Sequence, residues 1–187
     1  MLRLAYPLMI LSLLLATVAA YATPSERSQN PALVLQQGIE TLANPPQSSP
    51  MELQRYLEQH LVPYFDFEAM ARQVAGPLYR RLNPTQRDYL RKLLQNEVLT
   101  TVAKGLNQYR DSEIRYYPAA RHHGNQVLLR AELNYPNQPR SLQLAFRLHN
   151  GPQGWRVVDV IANGLSAVSH YRYQYQNRMR PGPSYSY

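Results

Sequence analysis

From residue 126 onward apolar side chains fall on every second position, and no other feature constrains the fold as strongly. Val127, Leu129, Ala131 and Leu133 alternate with Arg130 and Glu132; Leu142, Leu144, Phe146 and Leu148 alternate with Gln143 and Arg147. Period two is the pattern of a strand that buries one face. A third run places Trp155, Val157, Asp159 and Ile161 on one face and Arg156, Val158 and Val160 on the other, and residues 112–117 read as a strand before them. The connections are about six to eight residues long and carry the turn signals HHGN, NYPNQP and HNGPQG, which suits hairpins rather than crossovers. The expected unit is an antiparallel meander of about four strands with one apolar face.

Beyond Ile161 the pattern changes. Ala162-Asn163-Gly164 reads as a tight corner, with Gly164 free to take a positive φ. Leu165, Val168 and Tyr171 then recur at helical spacing, and Ser166 can cap locally. The stretch Trp155–Tyr175 is therefore expected to run strand, corner, helix and to close the fold.

The first half of the chain is helical by period. Residues 31–43 carry Leu33, Leu35, Ile39 and Leu42; residues 51–61 carry Leu53, Tyr56, Leu57 and Leu61; the prolines of NPPQSSP separate them. Asp66 is placed to cap a helix to Ala75, flanked by Phe65 and Met70 as a hydrophobic staple, and Gly76-Pro77 ends it. A short turn to Leu82 follows. Asn83-Pro84 then opens the longest element, expected to reach Tyr109 and to span roughly 39 Å. On it Leu90, Leu94, Val98, Val102 and Leu106 recur every four residues, widened by Tyr89, Leu93 and Tyr109. That stripe drifts about 40° per step and so curls round the helix. Helices followed by strands indicate an α+β domain.

Composition narrows the function. The chain has no cysteine, which excludes disulfides, thiolate metal sites and a thiol nucleophile. Residues 1–22 have the form of a signal peptide: Arg3, an apolar run from Leu4 to Leu15, and Ala20-Tyr21-Ala22 as a small-x-small cleavage site. The expected organisation is leader 1–22, one domain 23–180 and a tail 181–187, with an exported product cleaved near Ala22. The net charge of +8 points to an acidic partner, with no Lys/Arg run of nucleic-acid type.

Catalytic signatures are lacking: the sequence holds no HExxH, GxSxG, P-loop or GxGxxG. His122 and His123 fall in an expected loop and make a poor chelate, so no metal or cofactor is expected. Asp159, an acid on an apolar strand face, is either the ion partner of a nearby Arg or a residue at the mouth of a site. Tyrosines number 15 against 3 Phe and 1 Trp. An apolar ring with a polar tip suits the rim of an apolar cavity as well as ordinary half-buried packing.

Two blocks, LVPYFDFEAMARQVAGPLYRRLNPTQRDYLRKLL (61–94) and WRVVDVIANGLSAVSHYRYQY (155–175), resemble the MlaC, or toluene-tolerance, family of periplasmic phospholipid-binding proteins. The resemblance rests on Pro63-Tyr64-Phe65-Asp66, Met70, Gly76, Pro84 with Gln86-Arg87, and the closing W-x-V-x-D-V…G-x-S…Y-R. Asn163 stands where family members often carry an acid, and some relatives extend beyond the last helix.

The resemblance implies a twisted antiparallel sheet with helices around a deep apolar cavity. It implies a non-enzymatic carrier, acting as a monomer without nucleic acid. That carrier would shuttle glycerophospholipid between an outer-membrane lipoprotein complex and an inner-membrane MCE-domain ABC transporter, maintaining outer-membrane lipid asymmetry. Candidate lining residues are Leu94, Val98, Val102, Leu129, Leu144, Phe146, Val157, Ile161, Leu165 and Val168. Candidates for the head group or mouth are Arg80, Arg81, Arg147 and Arg172. The residues alone leave open a dry core in place of a cavity, a carrier of another lipid such as a hopanoid precursor, and a ligand-free periplasmic adaptor.

Overall fold

The computed structural model describes residues 30–43, 45, 49–108, 113–134 and 141–179. The expected leader, the NYPNQP connection after Asn134 and the tail lie outside them. Helices α1 (Pro31–Ala43), α2 (Pro50–His60), α3 (Phe67–Ala75) and α4 (Pro84–Gln108) precede strands β1 (Glu113–His123), β2 (Gln126–Asn134), β3 (Leu142–Gly151), β4 (Gly154–Ala162) and β5 (Leu165–Ser166); α5 (Ala167–Met179) closes the order. Short 3-10 turns at Val62–Tyr64 and Gly76–Arg81 flank α3. The fold is α+β, as the period change implies.

Local chemistry sets the helix starts. Ser49 and Glu52 form a reciprocal capping box at α2. At α4, Asn83 Oδ1 accepts from the Gln86 N–H at 2.8 Å while Gln86 Oε1 accepts from the Asn83 N–H at 2.9 Å. Asp66 caps α3 as expected, accepting from the Ala69 N–H at 2.8 Å. Each such box satisfies amide donors that a helix leaves orphaned. Gly76 ends α3 at a positive φ of 56°, a conformation natural for glycine.

The sheet is a five-stranded antiparallel meander in the order β1-β2-β3-β4-β5. Four details differ from the sequence expectation. First, β1 runs on to His123, so His122 and His123 belong to a strand; the hairpin is the two-residue turn Gly124-Asn125. Second, β4 is bulged. Arg147 pairs with Asp159 but Leu148 pairs with Val157, which leaves Val158 as the extra residue. A bulge resets the alternation, so Asp159 and Ile161 share a face with Arg147 and Ala145, opposite to Trp155 and Val157.

Third, Asn163 and Gly164 both take positive φ, 48° and 84°, as in the type I′ hairpins that Asn-Gly favours. The chain therefore turns back as β5 before any helix forms, with Ile161 opposite Ser166 and Ala162 opposite Leu165. Leu165 is thus a strand residue and 77% exposed. Fourth, the α4 stripe is widened by Leu93 and Leu99, not by Tyr89, which points to solvent; Tyr109 lies outside the described residues.

One apolar interior joins the layers. Val34, Leu35, Leu57, Met70, Val74, Leu90 and Leu94 of the helices share it with Val127, Leu129, Leu148, Trp155 and Val157 of the sheet. The Tyr56 hydroxyl donates to the Thr41 carbonyl at 2.6 Å and ties α2 to α1. Phe65 forms a parallel bridge with Val157, and the Asp66 N–H donates to the Val157 carbonyl at 2.9 Å, which fixes α3 against β4.

Candidate functional site

The inward sheet face is not uniformly closed. Toward the Gly124 hairpin its residues are fully buried: Val127, Leu129, Leu148, Val157. Toward the opposite end Ile114, Leu133, Leu142, Leu144, Val160 and Ala162 are only partly covered. Helix α4 shows the same gradient. Leu90, Leu94, Val98 and Leu99 are buried, whereas Val102, Ala103 and Leu106 are partly accessible while still packed on the core. Both layers therefore carry apolar side chains that touch the interior and keep contact with solvent. That arrangement can accept an apolar guest beside an existing core.

Helix α5 supplies a third wall. Its core stripe is Val168, Tyr171 and Tyr175, spaced three and four residues apart, while Ser169, Arg172, Tyr173 and Gln176 face outward. Its position is fixed by Asp159, which is 0% exposed. Asp159 Oδ2 accepts from the Ser166 hydroxyl at 2.7 Å and from Arg147 Nη1 at 3.3 Å, and Oδ1 accepts from the Val168 N–H at 3.1 Å. Ser166 itself accepts from the Ser169 N–H at 3.0 Å. A buried carboxylate so placed caps the helix and meets its positive end. Of the two sequence readings of Asp159, the ion partner of an arginine is the one the geometry shows.

The sequence-derived candidates divide accordingly. Leu94, Val98, Leu129, Phe146, Val157 and Val168 are buried in the common interior, and Val102 and Leu144 border it. Ile161 lies on the opposite sheet face, because the bulge at Val158 switches the alternation. Leu165 lies outside the interior altogether. Arg147 projects from the face opposite Leu144 and Phe146 and is engaged by Asp159. Arg172 Nε donates to the Gln73 carbonyl at 2.9 Å, tying α5 to the end of α3. Arg80 and Arg81 are exposed and make no ion pair among the described residues. Sequence reasoning missed Ile114, Ala103 and Val160 as border residues. The first two were legible as apolar positions next to the expected stripes; Val160 was hidden by the bulge.

His149 Nε2 meets Asp66 Oδ2 at 2.8 Å, so Asp66 serves both as the α3 cap and as a link to β3. Among the described residues no group of three or more His, Asp or Glu is placed to hold a metal ion. The perturbed groups are chiefly tyrosines. Burial raises the Tyr79 hydroxyl above its usual range, reinforced by the hydrogen bond and negative charge of Glu68 and opposed by Arg72 and Arg87. Burial also raises Tyr171, with the Glu97 charge adding and a hydrogen bond from Thr101 opposing.

The sign of the resulting pH dependence is fixed. The folded state holds these phenolic protons more tightly than the unfolded chain, so stability is full below about pH 10 and falls as pH rises through the folded values. Denaturation midpoints measured on an alkaline series are expected to drop above about pH 10, and Tyr79→Phe is expected to flatten part of that slope. An unchanged slope in the variant would show that Tyr79 is not among the groups responsible.

A helical layer and a meander enclose an apolar interior that is partly accessible along α4 and at the far sheet end, in a fold of the α+β class. The chain belongs to the MlaC family: the family model described as MlaC protein matches residues 33–185. A solved structure of similar fold is the phospholipid-binding protein of Ralstonia solanacearum in complex with a phospholipid, at 21% identity and a TM-score of 0.68, covering 78% of this chain and 83% of that one. Among curated proteins none matches the chain.

Proposed function

We propose that this chain is a periplasmic phospholipid carrier. The observation that carries the reading is the partly accessible apolar border, Val102, Ala103 and Leu106 on α4 with Ile114, Leu144 and Val160 on the sheet, in a fold shared with a protein solved with phospholipid bound. Two acyl chains of around 30 methylenes cost on the order of 25 kcal/mol to leave in water, at about 0.8 kcal/mol each. A carrier must enclose that surface but need not outbind a bilayer, since both exclude water.

Leu94, Val98, Val102, Leu129, Leu144, Phe146 and Val157 form the proposed lining on this reading, with Val168 and Tyr171 of α5 packed on the same core. The head group stays at the mouth. No helix among the described residues is long and apolar enough to cross a membrane. As an MlaC-family member it would shuttle phospholipid between an outer-membrane lipoprotein complex and an inner-membrane MCE-domain transporter, in support of outer-membrane lipid asymmetry, without acting as an enzyme.

Native mass spectrometry of protein purified without added lipid is expected to show a bound phospholipid mass. Protein that is free of lipid, and that also fails to take phospholipid from vesicles, would overturn the assignment. A hopanoid-type mass in its place would redirect it to another lipid class.

A further inference from the structure

Helix α3, the 3-10 turn that follows it and helix α5 together carry five arginines, Arg72, Arg80, Arg81, Arg172 and Arg178, and one acid, Glu68. That acid is already engaged: it accepts a hydrogen bond from the Tyr79 hydroxyl and lies 3.8 Å from Arg72. Arg72, Arg80, Arg81 and Arg172 are all exposed. The fold links the segments that carry them. Arg172 of α5 donates to the Gln73 carbonyl at the end of α3, Arg72 occupies that same last turn, and the 3-10 turn bearing Arg80 and Arg81 continues directly from it.

The turn is anchored rather than loose. Tyr79 is buried, its hydroxyl is held by Glu68 on α3, and Arg87 of α4 stacks over its ring at 5.0 Å. Arg80 and Arg81 therefore project from a fixed base. Beside Arg172 on α5, Tyr173 is 69% exposed.

We propose that this arginine face docks the protein on the anionic surface of a bilayer. Guanidinium groups pair bidentately with phosphate, and an exposed tyrosine next to them suits the interface between head groups and water. Val168, Tyr171 and Tyr175 of α5 pack on the core, so among the described side chains the face presents chiefly charge. Attachment is then electrostatic, reversible and weakened by salt. The proposal rests on the carrier reading for its purpose but not for its test, because attachment to a membrane is measured apart from lipid uptake.

The test is flotation of the purified protein with vesicles containing phosphatidylglycerol, against vesicles of phosphatidylcholine alone, over a salt series. Binding to the anionic vesicles at low salt and its loss at high salt are expected. Each arginine near the surface contributes about fivefold to such binding, so Arg81→Glu, a two-charge change, is expected to weaken it by roughly tenfold or more. Arg130→Glu, the same charge change on the exposed sheet face, is expected to retain most of it. Equal loss in both variants would reduce the effect to net charge and overturn the face. No flotation of the wild type at low salt would overturn the bilayer as occupant in favour of an acidic protein. If R80E/R81E sheds its bound phospholipid yet still floats, these arginines hold the head group of the cargo and the docking role fails.

Discussion

Val102→Trp is expected to abolish phospholipid loading while leaving the protein folded. Val102 sits on α4 where burial gives way to accessibility, still packed on the interior but no longer enclosed by it. An indole there can occupy the space of an acyl chain without forcing buried neighbours apart. Val168→Trp makes the useful contrast. Val168 is 2% exposed, between α5 and the core, so added bulk overpacks it at a cost of about 1–3 kcal/mol. The two variants are read by bound lipid in native mass spectrometry and by denaturant midpoint. Val102→Trp is expected to lose lipid with a near-normal midpoint, and Val168→Trp to shift the midpoint whatever happens to lipid. Normal lipid content in a folded Val102→Trp protein would remove the C-terminal half of α4 from the lining.

The largest effect on stability is expected at Asp159. Replacing it by alanine removes the acceptor for the Ser166 hydroxyl, the Val168 N–H and Arg147 at once, and leaves a void where the carboxylate was fully buried. Leaving the Val168 N–H and the Ser166 hydroxyl without their acceptor costs about 1–3 kcal/mol for each group. That is a large share of the roughly 5–15 kcal/mol that holds a domain together. Arg147 is itself partly exposed, at 39%, so solvent screens its share of the attraction and the cap to α5 carries more of the effect. Arg147→Met is therefore expected to cost distinctly less than Asp159→Ala. Urea denaturation of the two single variants and the double variant resolves the terms. A Asp159→Ala protein within about 0.5 kcal/mol of wild type, the range of ordinary surface changes, would contradict this role.

The two predictions probe different things: Val102 concerns what the interior is open to, Asp159 what keeps its third wall in place. Both residues stood out in the sequence, and each was only half understood there. The four-residue recurrence on α4 marked Val102 as facing inward, but periodicity says nothing about how far along a helix the partner layer extends. Asp159 stood out as an acid on an apolar strand, and its nearest reading, the partner of an arginine, is the geometry found. Its second partner, the α5 amide, depends on a hairpin and a bulge that bring residue 168 back over residue 159.

In β4 and at the corner after it, the departures from the sequence pattern are one-residue steps. The alternation through β4 was read as unbroken, and a single extra residue at Val158 reversed the faces of Asp159, Val160 and Ile161. Leu165 has the spacing of a first helical turn with Val168 and Tyr171, but Asn163-Gly164 is itself a strong hairpin signal and returns the chain as a strand. Both errors come from the same source. Side-chain direction in a strand inverts with every residue, so a small irregularity has the consequence of a large one.

By itself the sequence determined the order of the elements apart from β5, the change from helical to strand period after residue 110, the caps at Asp66 and Asn83, and the family. These are local properties, set by turn chemistry, capping groups and the spacing of apolar side chains along a few turns. Only the tertiary structure decided which apolar residues are sealed and which stay partly open, and which arginines are committed: Arg147 to Asp159, Arg172 to the end of α3, Arg80 and Arg81 to neither. Closure and charge pairing depend on what another part of the chain places opposite each side chain, and that placement is settled only when the helical half folds over the sheet.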